Sequence, residues 1–493
     1  MSRLRVQASN ALPTLVIGLV AGFTAVVGSY AAAGFTPSFV VTPVTNWIRE
    51  TSPAVITNSV IENLGSLGQT LLFLSAVALV VAGVAGLVVG SRSLGQRLNN
   101  RALPVVATTV GIWAFVAVTT GQALLALGAA LPPGAVVLLS VTAPSLPMPE
   151  AVDSRRRQIL SSGVALAGFS LAGYAVGQRR TPDLGGEPLA GNANQQQLLQ
   201  DAAEKSFSMD GAEPLVSENF YTVDIANVNP TVDESQWDLT ITGEVDEEVT
   251  LGYSELREMA SVDRFETLRC VGEDLNGKKM DTALWTGVPL QDLVERAGPN
   301  GDCDCVRLRA ADDYYQVFPM AALEDSLLAY GMNGDALPRG HGYPVRALIP
   351  GHWGEIQVKW LSEIEVLDQD AEGYWEKKGW HGTGPVETVA KLHAVDDLDD
   401  GRKEVGGHAY AGIRGIQQVE VSTDGGSTWN EAELTEPLEG VSVWRQWRYR
   451  YDPPDGAHDV VVRATDGEGR LQPSEERDSY PSGATGWVSK SVQ

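Results

Sequence analysis

The sequence predicts a chain in three parts: an N-terminal all-α transmembrane bundle, a central α+β domain and a C-terminal all-β immunoglobulin-like sandwich. Three observations predict it. Residues 1–180 hold long apolar runs with 11 arginines, no lysine and only 4 acids, a balance of +7. The rest holds 25 basic and 58 acidic residues, a balance of −33. Within that acidic part, mixed helix and strand signals give way to strand signals alone after about residue 383. The boundaries read as a transmembrane anchor at 1–180, a linker at 181–212, a central domain at 213–382 and a sandwich at 383–493.

Composition excludes several classes. A net charge of −26 over 493 residues leaves no basic surface for phosphate, so no nucleic-acid partner is expected. Three cysteines are too few for a disulfide scaffold or a zinc ribbon. Dense acids with few lysines look like a protein from an extreme halophile, where salt screens self-repulsion. Stability should therefore fall from molar to millimolar salt, and an unchanged melting temperature would contradict it.

Leu12 to Ala33, Leu64 to Gly90 and Leu103 to Ala130 are uncharged runs long enough to span a bilayer. Shorter runs cover Pro133 to Met148 and Ile159 to Gly177. Arg3 and Arg5, then Arg92, Arg97 and Arg101, then Arg155 to Arg157 flank them, which favours five spans with the N-terminus inside and the acidic part outside. Arg155-Arg156-Arg157-Gln158-Ile159-Leu160 before an apolar run resembles an internal twin-arginine export signal, and equally a plain positive-inside cluster. All six histidines lie beyond the spans, so the spans offer no histidine pair for haem and read as an anchor in the lipid bilayer.

In the acidic part, Trp237 to Gly243 alternates like a strand, Leu251 to Met259 and Leu290 to Ala297 read as short helices, and Val345 to Pro350 and Ile356 to Trp360 are strand-like. Further on, Gly415 to Ser422 and Trp429 to Leu434 flank an Asp424-Gly-Gly-Ser427 turn. Val443 to Tyr451 and His458 to Thr465 complete the sandwich pattern.

Chemistry concentrates in a few places. Cys270, in Thr267-Leu-Arg-Cys270-Val-Gly-Glu273, offers a soft thiolate for a transition metal; a cysteine hydrolase using His341 as base is the other reading. Cys303-Asp-Cys305 reads as a solvent-facing pair without function, because a bridge across one residue is strained. From Leu327 to Leu361, glycines let backbone approach a ligand, and His341, Arg346 and Lys359 supply donors for an anion.

Over roughly 213–493, Phe220-Tyr221, Thr267-Leu-Arg-Cys270, Leu284-Trp-Thr-Gly-Val-Pro-Leu290, Leu327 to Asn333, His341-Gly-Tyr-Pro-Val-Arg346, Lys359-Trp-Leu361 and Val419 to Gly426 resemble, in order and spacing, the sulfite oxidase family of molybdopterin enzymes. The resemblance implies a molybdenum–molybdopterin cofactor (Moco) with Cys270 as the one protein ligand to molybdenum. It implies that Tyr221, Thr222, Asp312, His341, Arg346, Gln357, Val358 and Lys359 hold the pterin and its phosphate. Tyr314, Tyr315, Trp380, His381 and Arg414 become substrate-pocket candidates, and the sandwich a dimerisation-type domain supporting a homodimer.

The sequence departs from the family on the substrate side. True sulfite oxidases carry Phe-Phe-x-Arg-Asn-His, where this chain reads Phe220-Tyr-Thr-Val-Asp-Ile225, so Val223 replaces the arginine. Glu273 and Asp274 follow Cys270 where the family has basic residues, and Trp380 stands in place of a tyrosine. The sequence reading is thus a membrane-anchored, extracytoplasmic molybdopterin oxidoreductase that transfers an oxygen atom to or from a small-molecule substrate and exchanges electrons with a separate redox carrier. A sulfoxide reductase of methionine sulfoxide type with the same cofactor is the alternative. A non-catalytic membrane-tethered scaffold or adhesion module is the alternative of another class.

Overall fold

The structure, a computed structural model, describes residues 2–142, 168–180 and 193–493. The chain divides into two compact units, Met1–Asp183 with Ala226–Thr231, and Leu184–Ile225 with Val232–Gln493.

The first unit is helical: α1 (Ser2–Ala33), α2 (Thr42–Thr51), α3 (Ala54–Leu64), α4 (Ser66–Arg97), α5 (Leu103–Thr120), α6 (Ala126–Thr142) and α7 over 168–180. Small side chains set its packing. A Cβ on Gly22 would lie 2.6 Å from the Val81 carbonyl oxygen, so α1 and α4 touch almost backbone to backbone. Gly28 meets Gly128 of α6 in the same way. Ala21, Ala25, Ala76, Ala129 and Ala130 are fully buried, while Leu15, Leu71, Val118 and Leu139 point outward. Among the described residues, three helical stretches, Pro13–Ala33, Leu67–Arg97 and Leu103–Thr120, are long and apolar enough to cross a membrane.

The run expected as one span from Leu103 to Ala130 is two helices. Gly121, at φ 69°, takes the left-handed cap that ends α5, and α6 starts at Ala126. The short run expected from Pro133 therefore begins earlier, with Pro132 and Pro133 inside α6, and its residues 143–148 lie outside the described residues. Of the fifth run, 168–177 is helical and the remainder lies outside the described residues, as does the twin-arginine stretch. The expected linker at 181–212 contains α8 (Ala193–Lys205). That helix is held because Gln195, 4% exposed, donates to Asp263 at 2.8 Å and to the Thr286 hydroxyl at 2.9 Å.

The central part of the second unit contains β1 (Asp238–Gly243), β2 (Val249–Gly252), α9 (Tyr253–Glu258), β3 (Val262–Arg269), β4 (Met280–Pro289), α10 (Leu290–Ala297), β5 (Cys305–Ala310), β6 (Tyr315–Pro319), β7 (Leu327–Met332), β8 (Asp335–Ala336), β9 (Arg346–Leu348) and β10 (Leu361–Leu367). One sheet runs β2-β1-β10-β5-β6, with β1 and β10 parallel. The other runs β3-β4-β7-β8, with β9 added on β7. Both sheets and α10 contribute to one apolar core, from Leu239 and Ile241 through Trp285 and Leu293 to Ile364. Ile356 to Trp360 is not a strand. Trp360 sits at φ 50°, and the Gln357 side chain pairs with the Ile349 backbone where a neighbouring strand would.

The C-terminal part is all β: β11 (Val389–Ala390), β12 (Ala394–Asp397), β13 (Lys403–Tyr410), β14 (Ile416–Ser422), β15 (Asn430–Glu431), β16 (Glu433–Leu434), β17 (Arg445–Tyr451), β18 (His458–Asp466) and β19 (Val488–Val492). One antiparallel sheet runs β11-β13-β17-β16 with β12 on β13, the other β15-β14-β18-β19. Alternating residues of both fill a shared core: Val405, Ala409, Trp447 and Tyr451 from one, Val419, Val421, Val460 and Val462 from the other. The expected strand from Trp429 to Leu434 is split, since β15 pairs with β14 and β16 crosses to β17.

Candidate active site

Cys270 is the first residue past β3, in the loop that returns to β4. Its amide donates to the Lys279 carbonyl at 2.9 Å, which closes the loop. The thiol is free and half-buried. Burial raises its pKa first; Glu273 raises it further, and Lys279 and the Gly272 amide pull the other way. Such a thiol is a weak nucleophile until a metal displaces its proton.

One neighbourhood of Cys270 is cationic. Phe220 anchors it, packed edge-on to Trp285 at 5.6 Å and to His341 at 5.4 Å. Arg346, 4% exposed, lies over the Trp285 ring at 5.2 Å and donates to the carbonyls of His341 at 3.2 Å and Gln357 at 3.1 Å. Its Nε is buried without a hydrogen-bond partner among the described residues. Burial pushes the Arg346 pKa down to about 10, which leaves it charged at neutral pH. Burial and Arg346 push His341 down to about 4, which leaves it neutral. Lys359 is ion-paired with Asp224 and donates to the Gly340 carbonyl at 2.9 Å. Gly342, at φ 109°, lets these groups converge: a Cβ there would lie 3.0 Å from Arg346 Cβ and 3.1 Å from Lys359 Cβ.

The other neighbourhood is acidic and aromatic. Glu355 and Glu376 form a buried carboxyl pair, and the Gln316 amide donates to both. Burial, then Glu376, raise the Glu355 pKa to about 9, so this pair keeps a proton at neutral pH. Tyr314 donates to the Glu355 carbonyl at 2.6 Å. Its ring abuts Tyr374, which meets Trp375; Trp375 meets Trp380, and Trp380 meets Tyr480 at 5.2 Å.

A link between Cys270 and these groups is visible at Gly354. A Cβ there would sit 3.1 Å from the Tyr221 hydroxyl, 3.2 Å from the Arg269 carbonyl and 3.6 Å from Cys270 Cα. Tyr221 is fixed through its amide, which donates to Asp281 at 2.8 Å.

The remaining expected residues are placed less centrally. Gln357 spends its side-chain amide on Ile349, and Val358 is fully buried with its carbonyl accepting from Ala347 at 2.8 Å. Thr222 and Val223 are exposed, and Asp312 accepts from the Tyr314 amide at 3.2 Å. Tyr315 lies in β6 under Lys377, and the His381 amide donates to the Pro481 carbonyl at 2.8 Å. Arg414 is committed to Asp466 at 2.9 Å, the Val386 carbonyl and Thr388, all in the C-terminal part. Cys303 and Cys305 are not a solvent-facing pair: they are bonded to each other, and Cys305 packs with Val317 and Leu367.

Sequence reasoning overlooked Glu355, Glu376 and Gln316. An acid in the apolar stretch from Ile349 to Trp360 was the available signal for Glu355. No local pattern announced Gln316 or Glu376, because the cluster forms only through β6 and the segment after β10.

The arrangement fits a molybdopterin. A free thiol, an arginine with an unused buried donor, and a glycine that lets cations converge suit a soft metal tied to a phosphate-bearing ring system. Comparison with known proteins agrees. The oxidoreductase molybdopterin binding domain matches residues 226–375, and the Mo-co oxidoreductase dimerisation domain matches residues 386–481. Mitochondrial sulfite oxidase of Homo sapiens is 25% identical over 369 residues, covering 62% of this chain and 68% of that protein. Sulfite oxidase of Gallus gallus is 27% identical, covering 58% and 75%. NADH nitrate reductase of Spinacia oleracea is 28% identical over 42% of this chain and 28% of its own length. Among solved structures, the sulfane dehydrogenase SoxCD from Paracoccus pantotrophus aligns with a TM-score of 0.45 at 19% identity, covering 54% of this chain and 79% of that one. The two domains in this order, together with the sulfite oxidase relatives, make the chain a molybdopterin-dependent oxidoreductase of the sulfite oxidase family.

Proposed function

We propose that this chain is a membrane-anchored oxidoreductase whose catalytic unit works outside the cytoplasm, transferring an oxygen atom to or from a small organic substrate. The observation that carries this reading is the pairing of the free Cys270 thiol with the unused donor of Arg346. When bound, the molybdenum cofactor supplies two-electron redox chemistry. Cys270 would then be its protein ligand, Arg346 and Lys359 would hold its phosphate, and neutral His341 would offer it a hydrogen-bond donor or acceptor. The Glu355–Glu376 pair stores a proton at the Glu355 carboxyl.

Three apolar helices with outward leucines and valines support an anchor in a bilayer. The two C-terminal sheets, with an immunoglobulin-like arrangement, supply a homodimer contact, and a separate carrier exchanges electrons with the site.

A specific observation favours the sulfoxide reductase over sulfite oxidation. The wall made by Glu355, Glu376, Tyr314 and Trp380 offers acids and rings, which repel a small dianion and accept a neutral sulfoxide. Purified full-length protein should contain close to one molybdenum per chain and reduce methionine sulfoxide with a reduced dye faster than it oxidises sulfite with an artificial acceptor. Absence of molybdenum, from a host with intact cofactor synthesis, would leave the scaffold reading.

A further inference from the structure

The loop that carries Cys270 is not held by the central domain alone. Arg269, next to the cysteine, is fully buried and reaches into the C-terminal part. Its Nη1 donates to the Glu387 carbonyl at 3.0 Å and its Nη2 to the Ala484 carbonyl at 3.2 Å, over the Trp353 ring at 4.6 Å. Its Nε donates to Glu273 at 3.1 Å. Glu273, 3% exposed, also accepts from the Lys279 amide at 2.8 Å, across the loop's neck.

Lys391 completes the cluster from the far domain. It is fully buried, and its ammonium donates to Glu273 at 2.5 Å and to the Gly277 carbonyl at 2.9 Å. Its neighbour Leu392 exchanges two hydrogen bonds of 2.9 Å with the Asn276 side chain, much as a strand partner would. Residues 391–392 therefore run alongside the metal-binding loop and grip it at Glu273, Asn276 and Gly277. Two cations and one carboxylate this deeply buried cost desolvation, and such clusters are retained where they fix one geometry.

We propose that Lys391 is a positioning residue for Cys270: through Glu273 it makes the C-terminal domain hold the cysteine loop in register with the cationic cradle. Its catalytic meaning rests on Cys270 as the metal ligand; the tether itself does not.

The test uses the full-length chain in detergent, with and without cofactor, as wild type, Lys391→Met, Lys391→Arg and Glu273→Gln. Deuterium uptake across 270–279 and the rate of Cys270 alkylation by iodoacetamide, mapped by peptide mass, are read in cofactor-free protein. Uptake in β14 and β18 reports the fold. Lys391→Met should raise uptake in 270–279 and speed alkylation by about tenfold while β14 and β18 stay protected. Lys391→Arg should recover most of the protection, and Glu273→Gln should behave like Lys391→Met. In loaded enzyme, kcat should fall with little change in KM. Unchanged uptake and alkylation in Lys391→Met with an intact fold would overturn the tether. If Lys391→Met does not fold, Glu273→Gln decides by the same readings. A loosened loop in a chain that never takes up molybdenum would refute the oxidoreductase site and leave the tether standing; a loaded chain with no loosening would refute the tether alone.

Discussion

The two neighbourhoods of Cys270 are built on opposite principles. On the cationic side, Arg346 is buried and Lys359 half-buried against rings and carbonyls, Lys359 is ion-paired with Asp224, and the Arg346 Nε has no hydrogen-bond partner among the described residues. On the acidic side, Glu355 and Glu376 crowd together around Gln316 and keep a proton between them. The first arrangement waits for an anion of fixed shape. The second holds one proton at Glu355 and presents rings and carboxyl groups. The difference separates two kinds of surface in one domain: donors for an anion gather on one side, carboxyls and rings on the other.

The largest test of that contrast removes the thiol both sides share. Cys270→Ser substitutes a harder donor that does not ionise at neutral pH, and dye-linked turnover should fall by more than about a hundredfold. Turnover retained per chain would break the comparison at its centre. Next in size is Arg346→Met, which keeps the stem against Trp285 and removes the charge. Cofactor retention, measured as molybdenum and pterin per chain, should drop by about 10–100-fold. Glu355→Gln on the other side should leave retention intact, so equal losses from both variants would erase the distinction.

The smallest effect is on stability. Glu355 has a folded pKa of about 9, above its ordinary carboxylate value of 4.5. Its contribution is therefore complete below pH 4.5 and lost as pH rises toward 9, because only the unfolded chain gives up the proton. Gln does not titrate and keeps the shape of the protonated acid. Glu355→Gln should melt higher than wild type at pH 8.5 and alike at pH 4.5; the reverse order would show that the pair is charged in the folded state.

Much of the fold was legible because its signals are local. Leu290–Ala297 ends where Gly298 turns left-handed, and Tyr253 opens a helix after Gly252. Where long-range pairing decides, the sequence was silent. Gln357 looked like part of a strand, yet its amide is consumed by Ile349. The helix over 193–205 reads as polar linker because its few anchors, Gln195 above all, bond to β3 and β4. At the site, Cys270, His341 and Arg346 came through motifs that lie on single segments. The Glu355–Glu376 pair and the Lys391 tether join segments far apart in the chain, so no spacing rule could reveal them.

The glycines around Glu355 leave room for the long side chains that face them. A Cβ on Gly382 would overlap the Glu355 carboxylate, and one on Gly373 would overlap the Gln316 amide. Each glycine is thus matched to the longer side chain facing it. A larger residue at Gly382 would push the Glu355 carboxyl aside, and one at Gly373 would push the Gln316 amide aside, so a change at either glycine is felt by the carboxyl cluster and its proton.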